Sequence, residues 1–552
     1  MAPYRSDDVR DHVEVPRDQG IVGEVIAQFA DPLAFYRELV QNAIDAGSPR
    51  VEVTLGFEAG HVRVRVADRG SGMTRDILEN QLLVLFRSTK EQDATKIGRF
   101  GIGFTSVLAP RPALVVVTTA RDGKRLVLHL KPDLTYELFD GGNATQAGTT
   151  VELELPIAEH AAADFAKRSY QALVRWCRHA SVPIELTAEV PGLAAPLTGR
   201  IDRPLALDDA LVEVRATSPD GQLTAVLGLE RRTETYLGFF NHGLTLFECG
   251  EPLVGWAVAC KLQDARLGHT LSRDNVRRDA HFDAAIAFAR ELAADDLARA
   301  CGRELRTAAE AGDHARHTEL MRAIAAAVLQ LSADDWWLPL AVPVGERTAI
   351  SVAELPDPIW VTSRPSRLAA AFAGADMPIP LVPAEEIDRL ARILSALPTA
   401  RRVLQLDEEL VHVHPCELDE RSTAVVHELA ALLRECKRAP AEILIAELEG
   451  ADATRFALGG GRDAARVVEP DGDYVLASTT ASKPPIGRFT RETLVLSADH
   501  ELVRAALAAP DPRVAASHLA RTILLAYGQL DVGRSERILA HGLAALGLGE
   551  AP

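Results

Sequence analysis

The sequence predicts a multidomain α+β protein whose first part, residues 1–157, is an α/β sandwich. Three observations carry this. Between Asp31 and Gly47, the residues Leu33, Tyr36, Leu39, Val40, Ala43 and Ile44 recur at helical spacing. Asp31-Pro32 reads there as an N-cap with Pro at the first helical position, and Gly47 as the stop. Next, VEVTLGF and HVRVRVAD alternate apolar and polar residues across the turn EAGH, as a hairpin with one buried face does. PALVVVTTA and RLVLHLK form a second hairpin, and TTVELEL completes a sheet of mixed order with helices on one face, closing near Pro156. Lastly, 552 residues is a soft prior for three or four domains with ample core.

The remaining elements follow in order. His12 to Val15 reads as an edge strand and residues 20–29 as a helix. After the sandwich come a helix over 160–180, the strand in SVPIELTAEV and a strand-rich region over 211–261. A long alanine-rich helix is expected over 282–311, with Ser272 as its N-cap. Residues 336–382 read as a small α/β piece, 385–397 and 422–437 as helices and EILIAEL as a strand, with a turn at Asp471-Gly472-Asp473. The ending, from LVLSADHELV onward, reads as a short strand and three short helices. The expected division is an α/β middle domain over 158–415 and a small C-terminal α/β helical domain over 416–552.

Composition narrows the function classes. Hydrophobic residues at 47% and charged residues at 25% are ordinary for a globular protein, so no disordered or fibrous class is indicated. A formal net charge of −18 makes nucleic acid an unlikely partner by default. No apolar run reaches membrane-spanning length and the start MAPYRSDDVRD is polar, which sets the expectation of a cytoplasmic protein. The six cysteines lie far apart without C-x-x-C pairs, in keeping with a reducing compartment. His412-x-His414-x-Cys416 has the look of a metal clip, but alternation along a strand accounts for it, since no second ligand pair is evident.

Three groups of polar residues stand out between Phe35 and Phe104. Glu38, Asn42 and Asp45 are four and three residues apart and share one face of the first helix. A carboxylate and an amide one turn apart suit a water-activating base beside an oxygen ligand for Mg²⁺. Asp68, at a strand end, precedes Gly70, Gly72 and Met73; it can accept from an exocyclic amine while glycine lets backbone approach a flat ring. Gly98, Gly101 and Gly103, followed by Phe104, form a loop before a helical start whose N–H groups suit phosphates. These glycines do not follow the first strand of a βαβ unit, and no G-x-x-x-x-G-K-[ST] occurs, so Rossmann and P-loop arrangements are excluded.

Together and in this order, the groups resemble the GHKL ATPase superfamily, shared by gyrase, the ninety-kilodalton heat-shock chaperones, sensor histidine kinases and MutL proteins. Glu38-x-x-x-Asn42 is similar to its N-box, Asp68-x-Gly70-x-Gly72 to its adenine box and Gly98 to Gly103 to its lid glycines. Thr149 stands where that family closes the adenine pocket, and Asn80 and Arg87 where it contacts phosphates. Beyond this domain, Ser272-Arg273-Asp274 resembles the chaperone middle-domain motif whose arginine reaches the γ-phosphate, and the ending resembles the chaperone dimerisation bundle. The layout is closest to the bacterial HtpG-like form, with GLGEAP at the end of the chain and no acidic linker. Three positions depart from the pattern: Gln81 stands where the family has the second of paired asparagines, Arg87 replaces a lysine, and Arg277 a glutamine.

The resemblance implies ATP and Mg²⁺ as cofactors, the metal held by Asn42, and slow hydrolysis with Glu38 and Arg273 as catalytic residues. It implies an ATP-dependent chaperone acting as a homodimer on unfolded or partly folded client proteins. The dimer is expected in the C-terminal helices, because Leu494, Val503, Leu507, Leu519, Ile523, Leu524, Ile538 and Leu543 exceed what so short a bundle needs for its own core. The alternative is a GHKL ATPase of the gyrase or MutL kind acting on DNA, where the second domain normally contributes lysine. A sensor kinase lacks a base at the position of Glu38, and an ATP-binding scaffold without turnover has no use for one.

Overall fold

The alternating pattern predicted around Asp68 is realised as a nine-stranded sheet. The computed structural model describes residues 9–13, 31–83, 103–133, 135–231, 235–252, 254–270, 275–487 and 492–548. Its strands are β1 (Val9–Val13), β2 (Val51–Glu58), β3 (His61–Asp68), β4 (Leu114–Arg121), β5 (Lys124–Leu130), β6 (Tyr136–Asn143), β7 (Gly148–Leu155), β8 (Ile184–Glu189) and β9 (Leu197–Ile201). They lie in the order β1-β6-β5-β4-β7-β3-β2-β8-β9, antiparallel throughout except for the parallel β2–β8 pair. In β2 and β3 every second residue is buried, so Val53 faces Val66 and Leu55 faces Val64 on one apolar face. Ala59 and Gly60, both at positive φ, make the tight connection that this register requires.

Two helices cover that face: α1 (Phe35–Asp45) and α2 (Glu159–Cys177). Their apolar stripes share a core with β2, β3, β4 and β7. Three expectations change here. Regular helix starts at Phe35, one turn later than Asp31-Pro32 implied; Asp31 instead accepts the N–H of Leu33 at 2.9 Å and shapes the preceding turn. The sandwich does not close near Pro156, because α2 returns the chain to the free edge of β2, where β8 pairs in parallel and β9 follows. The boundary expected at 157/158 therefore lies inside one continuous sheet. The helix expected over 20–29 lies outside the described residues.

A second sheet follows, built from β10 (Ala210–Thr217), β11 (Leu223–Glu230), β12 (Tyr236–Asn241), β13 (Leu244–Cys249) and β14 (Ala259–Asp264) in the order β10-β11-β14-β12-β13. α3 (Ala280–Leu292) begins after it. Its cap is Asp279, whose carboxylate accepts from the N–H groups of His281 and Phe282; Ser272, the expected cap, lies outside the described residues. The long helix expected over 282–311 is α3 followed by a π-helical turn, Ala293–Leu297, and a further helix, Ala298–Glu310.

The chain divides into two compact units: residues 1–297 with 326–328, and residues 298–325 with 329–552. The second unit carries two small sheets, β15 (Trp337–Val344) with β16 (Arg347–Ser351) and β17 (Ile359–Val361) with β18 (Val403–Gln405). Its main sheet comprises β19 (Leu410–Pro415), β20 (Glu442–Gly450), β21 (Ala457–Gly459), β22 (Val467–Val468), β23 (Tyr474–Ala477) and β24 (Thr493–Ser497), in the order β21-β24-β20-β19-β23-β22. The boundary expected at 415/416 separates β19 from its neighbour β20 and so also falls inside a sheet. Helices α4 (Glu420–Glu435), α5 (Pro512–Ala526) and α6 (Val532–Ala545) follow; α4 and α5 bury Leu429, Leu432, Leu519 and Ile523 with Ile443, Ile445 and Leu494 of the sheet. No helix among the described residues is long and apolar enough to cross a membrane.

Candidate nucleotide site

Three backbone closures bring the end of α1 to the end of β3. Ser71 N donates to Ala46 O at 2.9 Å, Arg69 N to Ser48 Oγ at 2.9 Å, and Ser48 N to Ala43 O at 2.9 Å. The helix that carries Glu38, Asn42 and Asp45 is thereby tied to the loop that carries Asp68, Gly72 and Met73. Gly72 sits at φ +64°, and a Cβ there would run into the carbonyl oxygen of Ala120; at Gly148 a Cβ would run into that of Asp68. Only glycine permits backbone this close, and both glycines line the same corner.

Asp68 is held at one oxygen. Its Oδ1 accepts from Gly70 N at 2.7 Å and Thr149 N at 3.3 Å, and Oδ2 has no hydrogen bond among the described residues. Burial raises the carboxyl above the usual aspartate range, while the two N–H donors pull it down. A half-buried carboxylate with one committed and one uncommitted oxygen can accept from an exocyclic amine. Met73 N donates to Thr119 Oγ1 at 2.8 Å, and that hydroxyl lies 3.1 Å from Thr149 Oγ1. Thr119 is fully buried and links the two backbone segments that flank the carboxylate. Nothing in the sequence singled it out, because its partners lie 46 and 30 residues away.

Replacing Thr119 by Val keeps the shape but leaves the Met73 N–H without its acceptor, a loss of about 1–3 kcal/mol. The expected result is a lower melting temperature and roughly tenfold weaker ATP binding by calorimetry, with Thr119→Ser restoring both. Equal defects in the Ser and Val variants would assign Thr119 a packing role only.

Glu38 is only 8% exposed and lies one turn before Asn42, whose amide is exposed on the same helix. Its Oε1 accepts from Arg37 Nη2 at 2.8 Å. Arg37, itself buried, stacks over Trp176 of α2 with its guanidinium 5.2 Å from the ring centroid, and Trp176 Nε1 donates to Asp31 Oδ2 at 3.2 Å. Arg37 and Trp176 thus position the Glu38 carboxylate, and neither was legible in the sequence. The neighbouring Cys177 thiol is pushed up to about 12 by burial and has no acid–base part at neutral pH.

The other expected site residues are placed as follows. Asp45 is exposed and accepts from Gln41 Nε2 at 2.9 Å. Asn80 is exposed and donates to Asp76 Oδ1 at 2.7 Å. Gly103 caps a short 3₁₀ helix, Phe104–Leu108, and the Phe104 side chain is buried in the core. Arg87, Gly98, Gly101 and Arg273 lie outside the described residues. Arg277 is exposed and paired with Asp279 at 2.6 Å.

Residues 36–140 match the family described as histidine kinase-, DNA gyrase B-, and HSP90-like ATPase. The chain therefore carries a GHKL ATPase domain, and the Asp68 corner lies within it. Among curated proteins, the DNA mismatch repair protein MutL of Pediococcus pentosaceus is 30% identical over 152 residues, 26% of this chain and 22% of that one. MutL of Opitutus terrae is 41% identical over 101 residues, 18% of this chain and 15% of that one. The chaperone protein HtpG of Methylococcus capsulatus is 27% identical over 188 residues, 28% of this chain and 29% of that one. The chain thus spans less than a third of the length of these relatives, and they divide between two activities. With MutL among them, acidic net charge alone does not set nucleic acid aside as a partner.

Proposed function

We propose that this protein is an ATP-driven clamp of the HtpG chaperone type, which hydrolyses ATP while closing on unfolded or partly folded protein. Asp68 Oδ2 accepts from the adenine amine, and Thr149 and the Gly72 backbone seat the ring. When bound with ATP, Mg²⁺ neutralises phosphate charge, and the exposed Asn42 amide oxygen suits it as a hard ligand. The N–H groups of Gly98, Gly101 and Gly103, with Arg87 and Asn80, hold phosphates. Glu38 takes a proton from the attacking water, and Arg273 stabilises charge on the γ-phosphate, a contribution that in arginine fingers reaches about 10³–10⁵-fold.

The observation that carries this reading is an apolar stripe on the last helix. Val532 and Leu539 of α6 and Leu546 at its C-cap recur every seven residues and are 75%, 60% and 60% exposed, with Leu525 of α5 also exposed. This changes which residues are expected at the dimer. Leu494, Val503, Leu519, Ile523, Leu524 and Ile538 are buried in the unit's own core, because α4 and β20 supply partners the local sequence did not reveal. Leu507 packs at the edge of that core and Leu543 is half-buried. Truncation near Thr490 would remove β24 and α5 from this core, so point substitution is the cleaner test. A helix stripe of this kind is self-complementary under a two-fold axis.

Leu539→Glu should convert a homodimer to a monomer by light scattering. It should leave ATP binding intact and slow turnover, since paired ATPase domains no longer favour the closed state. A wild-type monomer at micromolar concentration, or a variant with undiminished turnover, would remove the clamp from this account. A second reading, a GHKL ATPase acting on DNA, is favoured by the 30% and 41% identities to MutL.

A further inference from the structure

The strand that carries His412-x-His414 meets the second ligand pair that its own neighbourhood in sequence lacked. Hairpin β22–β23 is closed by Glu469 N donating to Asp473 O at 2.8 Å, and β23 pairs with β19 in a register that sets His412 opposite Val475. This places both hairpin carboxylates at the imidazole of His412. Nε2 lies 2.8 Å from Glu469 Oε1 and 3.6 Å from Asp473 Oδ2, and ligand atoms of the three residues all fall within 4.8 Å of one another. His412 is 2% exposed, and its Nδ1 has no partner among the described residues. The polar contacts of this buried ring are therefore directed through Nε2 at the two carboxylates.

Charge on the same face is unbalanced. Glu449 and Glu447 stand opposite His412 and His414 across the β19–β20 pair, so four carboxylates face two imidazoles. Arg367, at the start of the helix Arg367–Gly374, approaches this group, binding Glu447 at 2.8 Å through its side chain and Glu449 at 3.3 Å through its backbone N–H. A second guanidinium, that of Arg462, lies beside Gly472 of the hairpin turn, so the four carboxylates outnumber these two guanidiniums. His414 Nδ1 lies 2.7 Å from both carboxylate oxygens of Asp473 and is partly open to solvent. Ligating carboxylates are themselves held by outer hydrogen bonds, and His414 is placed to supply one to Asp473.

We propose that His412, Glu469 and Asp473 bind a divalent cation of the zinc class, with His414 as a positioning residue for Asp473. One imidazole nitrogen and two carboxylates in a compact group, with Glu469 partly exposed, suit a borderline cation that completes its shell with solvent. Bonds of about 2.0–2.2 Å need ligand atoms roughly 3.3–3.5 Å apart, so Glu469 Oε1 recedes slightly from Nε2, Asp473 Oδ2 at 3.6 Å moves in slightly, and the group, spread within 4.8 Å, draws together. Ligation through Nε2 takes the neutral ring with its proton on Nδ1, so the proton that Nε2 shares with Glu469 moves to Nδ1 or, from an imidazolium, leaves to solvent as the cation enters. The bound ion would clip the β22–β23 hairpin to β19. This site lies in the second unit, has no residue in common with the nucleotide site, and does not depend on the ATPase reading.

The test uses full-length, chelator-stripped, nucleotide-free protein titrated with Co²⁺ and followed by visible absorption, and with Zn²⁺ followed by equilibrium dialysis and thermal melting. The expected result is one Co²⁺ per chain with a ligand-field band, displacement by Zn²⁺, and a higher melting temperature with Zn²⁺. Glu469→Gln keeps an acceptor for His412 but loses the charge, and should weaken binding by at least about 100-fold; His414→Ala should weaken it about tenfold. Asp68→Asn should bind Co²⁺ as wild type does. Absence of uptake at micromolar metal, equal binding in a folded Glu469→Gln variant, or loss of binding in Asp68→Asn would each overturn the assignment.

Discussion

Asp68→Asn should lose ATP binding by two to three orders of magnitude in calorimetry while its melting temperature at neutral pH stays the same or rises. The geometry makes the first half specific. Oδ1 already accepts two backbone N–H groups, so an amide must keep its oxygen there and turn its NH₂ to the position of Oδ2. That NH₂ then meets the adenine amine as a second donor. The second half follows from the raised pKa. Folded Asp68 holds its proton to higher pH than the unfolded chain does, so stability contributed at this position falls as pH rises from the ordinary carboxylate range through the raised value. Above both values the buried charge costs its full amount, and the neutral amide removes that cost. For the same reason, wild-type ATP affinity should begin to fall on acidification at a pH above the ordinary aspartate range. Retained micromolar affinity in the variant, or an affinity flat down to that range, would place adenine elsewhere.

Glu38→Ala should bind ATP nearly as tightly as wild type and turn it over about 10²–10⁴-fold more slowly. In the proposed mechanism Asn42 and Asp68 act on the bound ground state and Glu38 only as water loses its proton, so removing Glu38 should fall on kcat. The structure adds a condition: Glu38 is fixed through Oε1 by Arg37, which is fixed in turn by Trp176. Single-turnover hydrolysis beside equilibrium binding separates the two effects. Equal losses in binding and turnover would make Glu38 a ground-state ligand.

What the sequence reveals of this fold is mostly local. The β2–β3 hairpin is legible because alternation and a tight turn act over adjacent residues, and the α1 stop because Gly47 takes φ +72°. The Asp68 corner is legible because its aspartate and glycines are contiguous. Thr119, Trp176 and Arg37 are not, since each gains its meaning from a partner brought in by sheet order or helix packing. The return of β8 to β2 is a long-range pairing that no periodicity marks. At the C-terminal helices the sequence misleads in a particular way. It shows which residues are apolar, but the core partners in α4 and β20 decide that Leu519 and Ile523 turn inward and Leu539 outward. His412 and His414 behave as expected for alternation on a strand, while Glu469 and Asp473, 57 and 59 residues further on, were invisible as their partners.

The central claim is an ATPase whose cycle is coupled to unfolded protein, and steady-state ATP turnover of the full-length chain tests it most directly. Turnover would be measured alone, with a chemically denatured model client and with duplex DNA, each also in the Glu38→Ala background to remove contaminating activity. The account predicts slow basal turnover that changes with the unfolded client, is indifferent to DNA at physiological salt, and vanishes in Glu38→Ala. Turnover stimulated by DNA in a salt-dependent manner and unmoved by the client would contradict it and assign the protein to the DNA-linked branch.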